Sequence, residues 1–365
     1  MGTRNNESSE RPHGDSPRAF GTHAFAGLPG WPPDWPEIRA SLLDCFESGD
    51  WGRYQGRWTA QLTRRLTEMA ELSQCRLVSS GSFAVELALR SLGVSAGDSV
   101  AVCAYDYPGN FRAIELVGAR PMLVDASQDS FSLCPEQLSS LKTPDLKAVV
   151  VSHLYGVPAA IGAIRAVCDD RGWLLIEDVC QAPGMRIEGR ASGAWGDVSV
   201  WSFGGSKPLT AGNGGALLTD AGSVASRWNA WADRPSDATP VSQLQAAVLL
   251  PQLDRIGQCN QTRNEFVQRL LEDVDWIAEA IGTRQPARDA TVYKLAFLLE
   301  RRDETLDALA SHGLPVGAGY RSMHRSSDRR CDKAGTLERA ATLGEQICLL
   351  DHSALLATGE TRVAL

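Results

Sequence analysis

The chain has 365 residues, of which 43% are hydrophobic, 22% charged and 7% aromatic, the balance of a soluble globular protein built as two domains or one large domain with an appendage. Lys and Arg number 36 against 44 Asp and Glu, for a net charge of −8, and this acidity argues against the basic footprint that holds nucleic acid. Nine scattered cysteines without a C-x-x-C, and six histidines without an H-E-x-x-H, exclude a disulfide framework and the common zinc signatures.

Residues 1–25 are rich in Ser, Asn, Arg and Pro, and are expected to form a disordered leader. The start has no apolar signal-peptide core, and no run approaches the roughly 18 apolar residues of a membrane span, so the expected compartment is the cytoplasm. A Pro- and Trp-rich segment from Trp31 leads into a helix with Ile38, Leu42, Leu43 and Phe46 near helical spacing. Trp31, Trp35, Trp51 and Trp58 are read as packing or dimer-interface residues.

Between Leu77 and Asp220 the runs SVAVCAY, RPMLVDA, AVVVSHLYG, WLLIEDVC, VSVWSF and GALLTD alternate with helical stretches. Such alternation predicts a mostly parallel sheet covered on both faces. QLQAAVLLPQLDRIGQCNQTRNEFVQRLLEDV then predicts one long helix. VYKLAFLLE predicts a strand, DETLDALASHG a helix stopped at Gly313, and ERAATLGEQICLL a further helical segment. The expected division is a large domain over 26–250, with the long linking helix and a small C-terminal α/β domain over 251–365.

Chemistry concentrates in residues 174–220. One strand ends in Glu177 and Asp178, and ligands of open α/β sheets collect at the carboxyl ends of such strands. The next strand ends in Ser202 and delivers Lys207 into a loop with Gly204, Gly205, Gly212, Gly214 and Gly215. A lysine partly withdrawn from water has a lowered pKa and suits Schiff-base chemistry, and the glycines let backbone approach a flat ligand. Upstream, LVSSGSFAVELALRSLG reads as strand, small hydroxylated turn and helix, with Ala84, Leu87, Ala88 and Ser91 on one face. Its helix N-terminus suits a phosphate. Taken singly, Lys207 is a surface lysine, Asp178 a helix cap, the Ser79–Ser82 turn a cap, Tyr107 a packing residue and His153 a core histidine. Phosphate site, acid and lysine together describe pyridoxal phosphate.

In order and spacing these pieces resemble the DegT/StrS-type sugar aminotransferases, a branch of the fold type I pyridoxal-phosphate enzymes. VSSGSFAVELALRSLGVSAGDSV, SHLYG, IEDVCQA and SFGGSKPLTAGNGG carry the likeness, which runs from about Gly27 to the C-terminus. GWPPDWP and SGDWGR look like the opening of the subgroup with scyllo-inosose aminotransferases and 3-amino-5-hydroxybenzoate synthases. The resemblance implies a large domain with a seven-stranded, mostly parallel sheet. It makes Lys207 the Schiff-base lysine and proton shuttle, and Asp178 the partner of the pyridinium nitrogen. Gln181 would bond the phenolic oxygen, Gly81, Ser82 and Ser202 would hold the phosphate, and Tyr107 would stack on the ring. His324, in YRSMH, falls where the family has a histidine near the substrate.

The resemblance also implies a homodimer, with L-glutamate or L-glutamine as amino donor and a keto-sugar or keto-cyclitol as acceptor, in a specialised, antibiotic-like biosynthesis. Neither nucleic acid nor membrane is an expected partner. Three departures stand out. Ala238, Thr239 and Pro240 replace the family's N-x-R, whose asparagine reaches the neighbouring subunit's phosphate; Asn213 replaces the Glu of GEGG; and the 220–241 loop looks short. These keep elimination, dehydration or aromatisation on the same scaffold as the alternative chemistry, although Lys207 argues against the dehydratase branch, which has histidine there.

Overall fold

The computed structural model describes residues 30–234, 236–273, 275–281, 286, 291–311 and 314–357. The expected leader over 1–25 and the expected stop at Gly313 lie outside these residues.

Helix α1 (Pro36–Glu47) buries only Ile38 and Cys45, leaving Leu43 and Phe46 exposed. Helix α2 (Arg57–Ala70) buries Trp58, Leu62, Leu66 and Ala70, a four-residue spacing that keeps one face inward. Strands and helices then alternate as the sequence predicts: β1 (Gln74–Val78), α3 (Gly81–Ser91), β2 (Ser99–Cys103), α4 (Pro108–Leu116), β3 (Arg120–Val124), α5 (Pro135–Ser139), β4 (Leu146–Ser152), α6 (Ile161–Arg171) and β5 (Leu174–Asp178). A small hairpin, β6 (Arg186–Ile187) with β7 (Arg190–Ala191), precedes β8 (Val198–Ser202) and β9 (Gly215–Thr219).

These strands form one sheet in the order β1-β9-β8-β5-β4-β2-β3, with a two-residue strand, β14 (Asp332–Lys333), added beside β3 as an eighth member. Its pairings are parallel except at β9, which runs against both β8 and β1. The eighth strand comes from the C-terminal part of the chain, where two residues carry no strand signal of their own. The interior strands β2 and β4 are nearly continuous Val, Leu and Ala and are buried except at Lys147, as a sheet covered on both faces requires.

The 220–241 segment is not a plain loop. It holds α7 (Gly222–Ala232) and a small hairpin, β10 (Asp233–Arg234) with β11 (Ser236–Asp237). Helix α8 (Gln243–Asp273) spans 31 residues despite Pro251, and the buried Gln252 side chain ties it to both the N–H and the carbonyl of Thr210. After α9 (Asp275–Ile281) come β12 (Leu295–Leu298), α10 (Arg302–Ser311), β13 (Val316–Ala318), α11 (Glu338–Gln346) and β15 (Ile347–Leu350).

Here ERAATLGEQICLL differs from its expected helix: its last four residues form β15, the centre of a three-stranded antiparallel sheet. A four-residue apolar run suits either element, and pairing with β12 and β13 decides for strand. One face of this small sheet, Ala296, Ile347 and Leu349, joins the main core. The other, Leu295, Phe297, Cys348 and Leu350, packs on Phe266, Val267 and Leu270 of α8.

Candidate active site

The carboxyl ends of the parallel strands open into one cavity of about 370 Å³, within the range of small-molecule sites. Each strand end brings a different chemical group to it. After β1 the chain turns through Ser79 and Ser80 into α3, whose first residue is Gly81. Ser80 Oγ accepts the Phe83 N–H at 3.1 Å and caps the helix. A Cβ on Gly81 would lie 2.6 Å from Ser202 Cβ, so only glycine lets the helix start lie flush on the end of β8. The same turn is pinned from below: Gly214 N–H donates to Ser79 O at 3.0 Å, and a Cβ on Gly215 would sit 2.7 Å from the Ser80 carbonyl. The outcome is a shelf of backbone N–H groups with the Ser82 and Ser202 hydroxyls beside it, the chemistry that receives an anion.

After β2 comes Tyr107, just ahead of Pro108, the first residue of α4. Its ring is 37% exposed, its hydroxyl lies 3.3 Å from Ser82 Oγ, and Lys207 Nζ stands 5.8 Å from its centroid. Lys207 is half-buried in the loop joining β8 to β9, with its N–H bonded to Gly204 O at 2.9 Å. That loop is clamped from outside: Trp31 Nε1 donates to Gly205 O at 3.0 Å, and the Tyr293 hydroxyl donates to Ser206 O.

Asp178 ends β5 as a buried carboxylate. Its Oδ1 accepts the Cys180 N–H at 2.9 Å, and its Oδ2 accepts from Asn110 Nδ2 at 3.1 Å. The neighbouring acid, Glu177, points to the opposite face, as strand alternation demands. There its two oxygens take the N–H groups of Gly193, Trp195 and Gly196. Glu177 also lies 3.0 Å from His153 Nε2, and His153 Nδ1 accepts the Ala159 N–H. This fixes the His153 proton on Nε2 and makes the pair a structural lock.

Gln181 is buried with its amide at the cavity wall. Oε1 accepts Tyr155 N–H at 2.8 Å, and Nε2 donates to the Tyr320 hydroxyl at 3.2 Å. Tyr155 adopts φ 61°, a costly conformation for a bulky side chain. It stacks on Tyr320 at 6.2 Å and shares a 2.7 Å hydroxyl contact with Tyr105. Burial pushes all three phenols well above their usual range, so they stay protonated. Cys180 also lines the cavity, but burial and then the Asp178 charge raise its thiol far above the ordinary value, which leaves it a poor nucleophile.

The structure thus brings Gly81, Ser82, Tyr107, Asp178, Gln181, Ser202 and Lys207 to one cavity. His324 is not among its lining residues. It sits on a 3-10 turn, with Nδ1 3.0 Å from Ser322 Oγ, and its pKa is lowered by burial and then by Arg325. Asn213 is exposed, and its carbonyl accepts from Gln245. Ser80, inside the Ser79–Ser82 turn that the sequence marks for a phosphate, also lines the cavity, whereas sequence reasoning missed Asn110 and Tyr320 in the lining and Ser152 and Asp106 behind it. Their signal is position, since Asp106, Asn110 and Ser152 sit at the same carboxyl-end rim as Asp178.

A sheet-end cavity that pairs a lysine with a buried acid and an anion shelf is the site of a group-transfer enzyme that works through a phosphorylated aromatic cofactor. Residues 36–364 match the DegT/DnrJ/EryC1/StrS aminotransferase family, and the chain belongs to it. The L-glutamine:2-deoxy-scyllo-inosose aminotransferase of Streptoalloteichus tenebrarius is 32% identical over 332 residues, covering 80% of this chain and 78% of that relative. The 3-amino-5-hydroxybenzoate synthase of Amycolatopsis mediterranei is 28% identical over 321 residues, covering 82% and 83%. A crystal structure of a 3-amino-5-hydroxybenzoic acid synthase superposes with a TM-score of 0.81 at 25% identity, covering 91% of this chain and 94% of that one. The chain is an aminotransferase, and its cofactor is pyridoxal 5′-phosphate.

Proposed function

We propose that this aminotransferase takes its amino group from L-glutamine or L-glutamate and gives it to a keto-cyclitol or keto-sugar in a specialised biosynthesis. The 2-deoxy-scyllo-inosose aminotransferase named above supports the acceptor class, and one observation carries the chemistry: Lys207 Nζ stands 5.8 Å from the Tyr107 ring in a cavity that Asp178 also lines.

The residues present fit pyridoxal phosphate. The shelf of Gly81, Ser82 and Ser202 suits its phosphate, Tyr107 offers a ring face, Gln181 offers an amide to the phenolic oxygen, and Asp178 is an anion for the ring nitrogen. When bound, the cofactor supplies an aldehyde and an electron sink. Lys207 would hold that aldehyde and, when displaced, carry a proton as general base and then acid. Asp178 would keep the ring nitrogen protonated, and Tyr105, Tyr155 and Tyr320 would exclude water on the Gln181 side. His324 is proposed to approach substrate from the rim.

We place the site in a large unit over 26–250, with the boundary to the C-terminal unit falling inside α8. The exposed Leu43, Phe46, Trp51 and Tyr54 support a homodimer formed through the N-terminal segment. Among the described residues no helix is long and apolar enough to cross a membrane.

The test is borohydride reduction of cofactor-loaded protein followed by peptide mass analysis. The cofactor mass is expected on the Lys207 peptide, and Lys207→Ala should lose at least about a thousandfold in turnover. With glutamine alone, one equivalent of keto acid per site is expected. Full turnover in Lys207→Ala would refute the proposal.

A further inference from the structure

Behind Asp178 lies a second carboxylate that none of these roles uses. Asp106, just beyond β2, is 1% exposed. Its Oδ1 accepts Tyr107 N–H at 2.6 Å, Ser152 Oγ lies 2.8 Å from Oδ1 and 3.0 Å from Oδ2, and Asn110 Nδ2 stands 3.3 Å away. The same two side chains face Asp178: Asn110 Nδ2 lies 3.1 Å and Ser152 Oγ 3.4 Å from its Oδ2. Two buried acids are therefore joined by one hydroxyl and one amide, and among the described residues Asn110 Oδ1 has no hydrogen-bond partner.

Among the described residues no basic side chain forms an ion pair with Asp106. The titratable groups around it are Asp178 from β5, Cys103 from β2 and Tyr320 from the segment after β13. Burial, and then the Asp178 charge, push Asp106 up to about 7. In water-excluded surroundings such a pair is costly unless a cation joins it. The hydroxyl between them has one proton for two acceptors, so the arrangement is completed either by a proton on Asp106 or by a cation at Asp178.

We propose that Asp106 is a positioning residue for Asp178: through Ser152 and Asn110 it fixes the Asp178 carboxylate and lends a second negative charge to the cation that carboxylate accepts. This rests on the proposed pairing of Asp178 with the cofactor's ring nitrogen. It places an acid pair, not a single acid, beneath the cofactor. Ser152 favours the ionised form of Asp106 by donating to it, so loss of Ser152 acts in the same direction as loss of the Asp106 charge.

The experiment uses full-length apoprotein of wild type, Asp106→Asn, Ser152→Ala and Asp178→Asn. Pyridoxal phosphate is titrated by absorbance, and the bound form is then titrated with pH. Asp106→Asn should bind about tenfold more weakly, and its bound cofactor should titrate about one pH unit lower. Ser152→Ala should shift both readings the same way by less, and Asp178→Asn should lose most binding. Melting of the Asp106→Asn apoprotein should be unchanged or raised, because a buried charge is removed.

Binding within twofold of wild type and an unmoved titration in both Asp106→Asn and Ser152→Ala, beside a crippled Asp178→Asn, would overturn the inference alone. An unaffected Asp178→Asn would overturn the underlying assignment of Asp178. If Asp106→Asn does not fold, the Ser152→Ala titration decides.

Discussion

Gly81→Ala separates two opposed effects at the start of α3. Glycine at a helical position costs about 1 kcal/mol relative to alanine, so propensity alone favours the substitution. Packing opposes it. The new Cβ would lie 2.6 Å from Ser202 Cβ and 2.9 Å from its Oγ, where carbon atoms rest at about 3.5–4.0 Å. The overlap is close to 1 Å. Ser202 Cβ cannot swing away, because it is the root of a side chain on β8, which is paired with β5 and β9. The helix start must therefore retreat, at about 1–3 kcal/mol of overpacking.

That retreat takes the backbone N–H shelf away from any anion seated there. One or two weakened bonds to a charged group, each worth about 1.5–3 kcal/mol, amount to roughly a hundredfold in cofactor affinity. Absorbance titration of apoprotein with pyridoxal phosphate measures this. Gly222→Ala is the matched control: it also begins a helix, and its Cβ would meet nothing within 4 Å. Gly81→Ala binding the cofactor within twofold of wild type would refute the assignment of this shelf to the phosphate.

Two further substitutions test groups away from the cavity. Glu177→Gln places an amide where the carboxylate accepts Gly193, Trp195, Gly196 and His153, turning two acceptor contacts into donor against donor; a loss of about 3–5 kcal/mol is expected in urea denaturation, and a loss below 1 kcal/mol would show that the lock is slack. His352 is pushed down to about 3 by burial, whereas in the unfolded chain it takes a proton near pH 6.5. Its contribution to stability is therefore full above pH 6.5 and is lost toward pH 3 by up to about 1.4 kcal/mol per pH unit. Denaturation of His352→Gln at pH 6.5 and pH 5 should show a shallower decline than wild type, and an unchanged slope would contradict a buried neutral imidazole.

The sequence was legible where chemistry and local pattern coincide. Each apolar run from SVAVCAY to GALLTD is a strand because nothing nearby competes for it, and Asp178 stands out as an acid at a strand end and Lys207 as a lysine in the glycine-rich loop after one. Residues 347–350 failed as a helix because their fate depends on partners some fifty positions earlier, at Leu295–Leu298. Asp106 and Ser152 were invisible for the same reason. Each is an ordinary polar residue, Asp106 just after β2 and Ser152 at the end of β4, and only the parallel pairing of β2, β4 and β5 sets them against one another. Tyr320 lies in the segment that drew attention to His324, but which of the two faces the cavity is a matter of chain direction after β13, which spacing does not encode.

The adjacent acids of β5 carry a consequence for assembly of the sheet. Glu177 and Asp178 serve opposite faces, one holding the 193–196 turn and the other flooring the cavity. A slip of β5 by one residue between β4 and β8 would exchange them, leaving the turn donors without their carboxylate and sending the wrong acid to the cavity. A misthreaded strand would thus forfeit the lock that holds the fold, so chains that stay folded are those that also bring Asp178, and not Glu177, to the cavity.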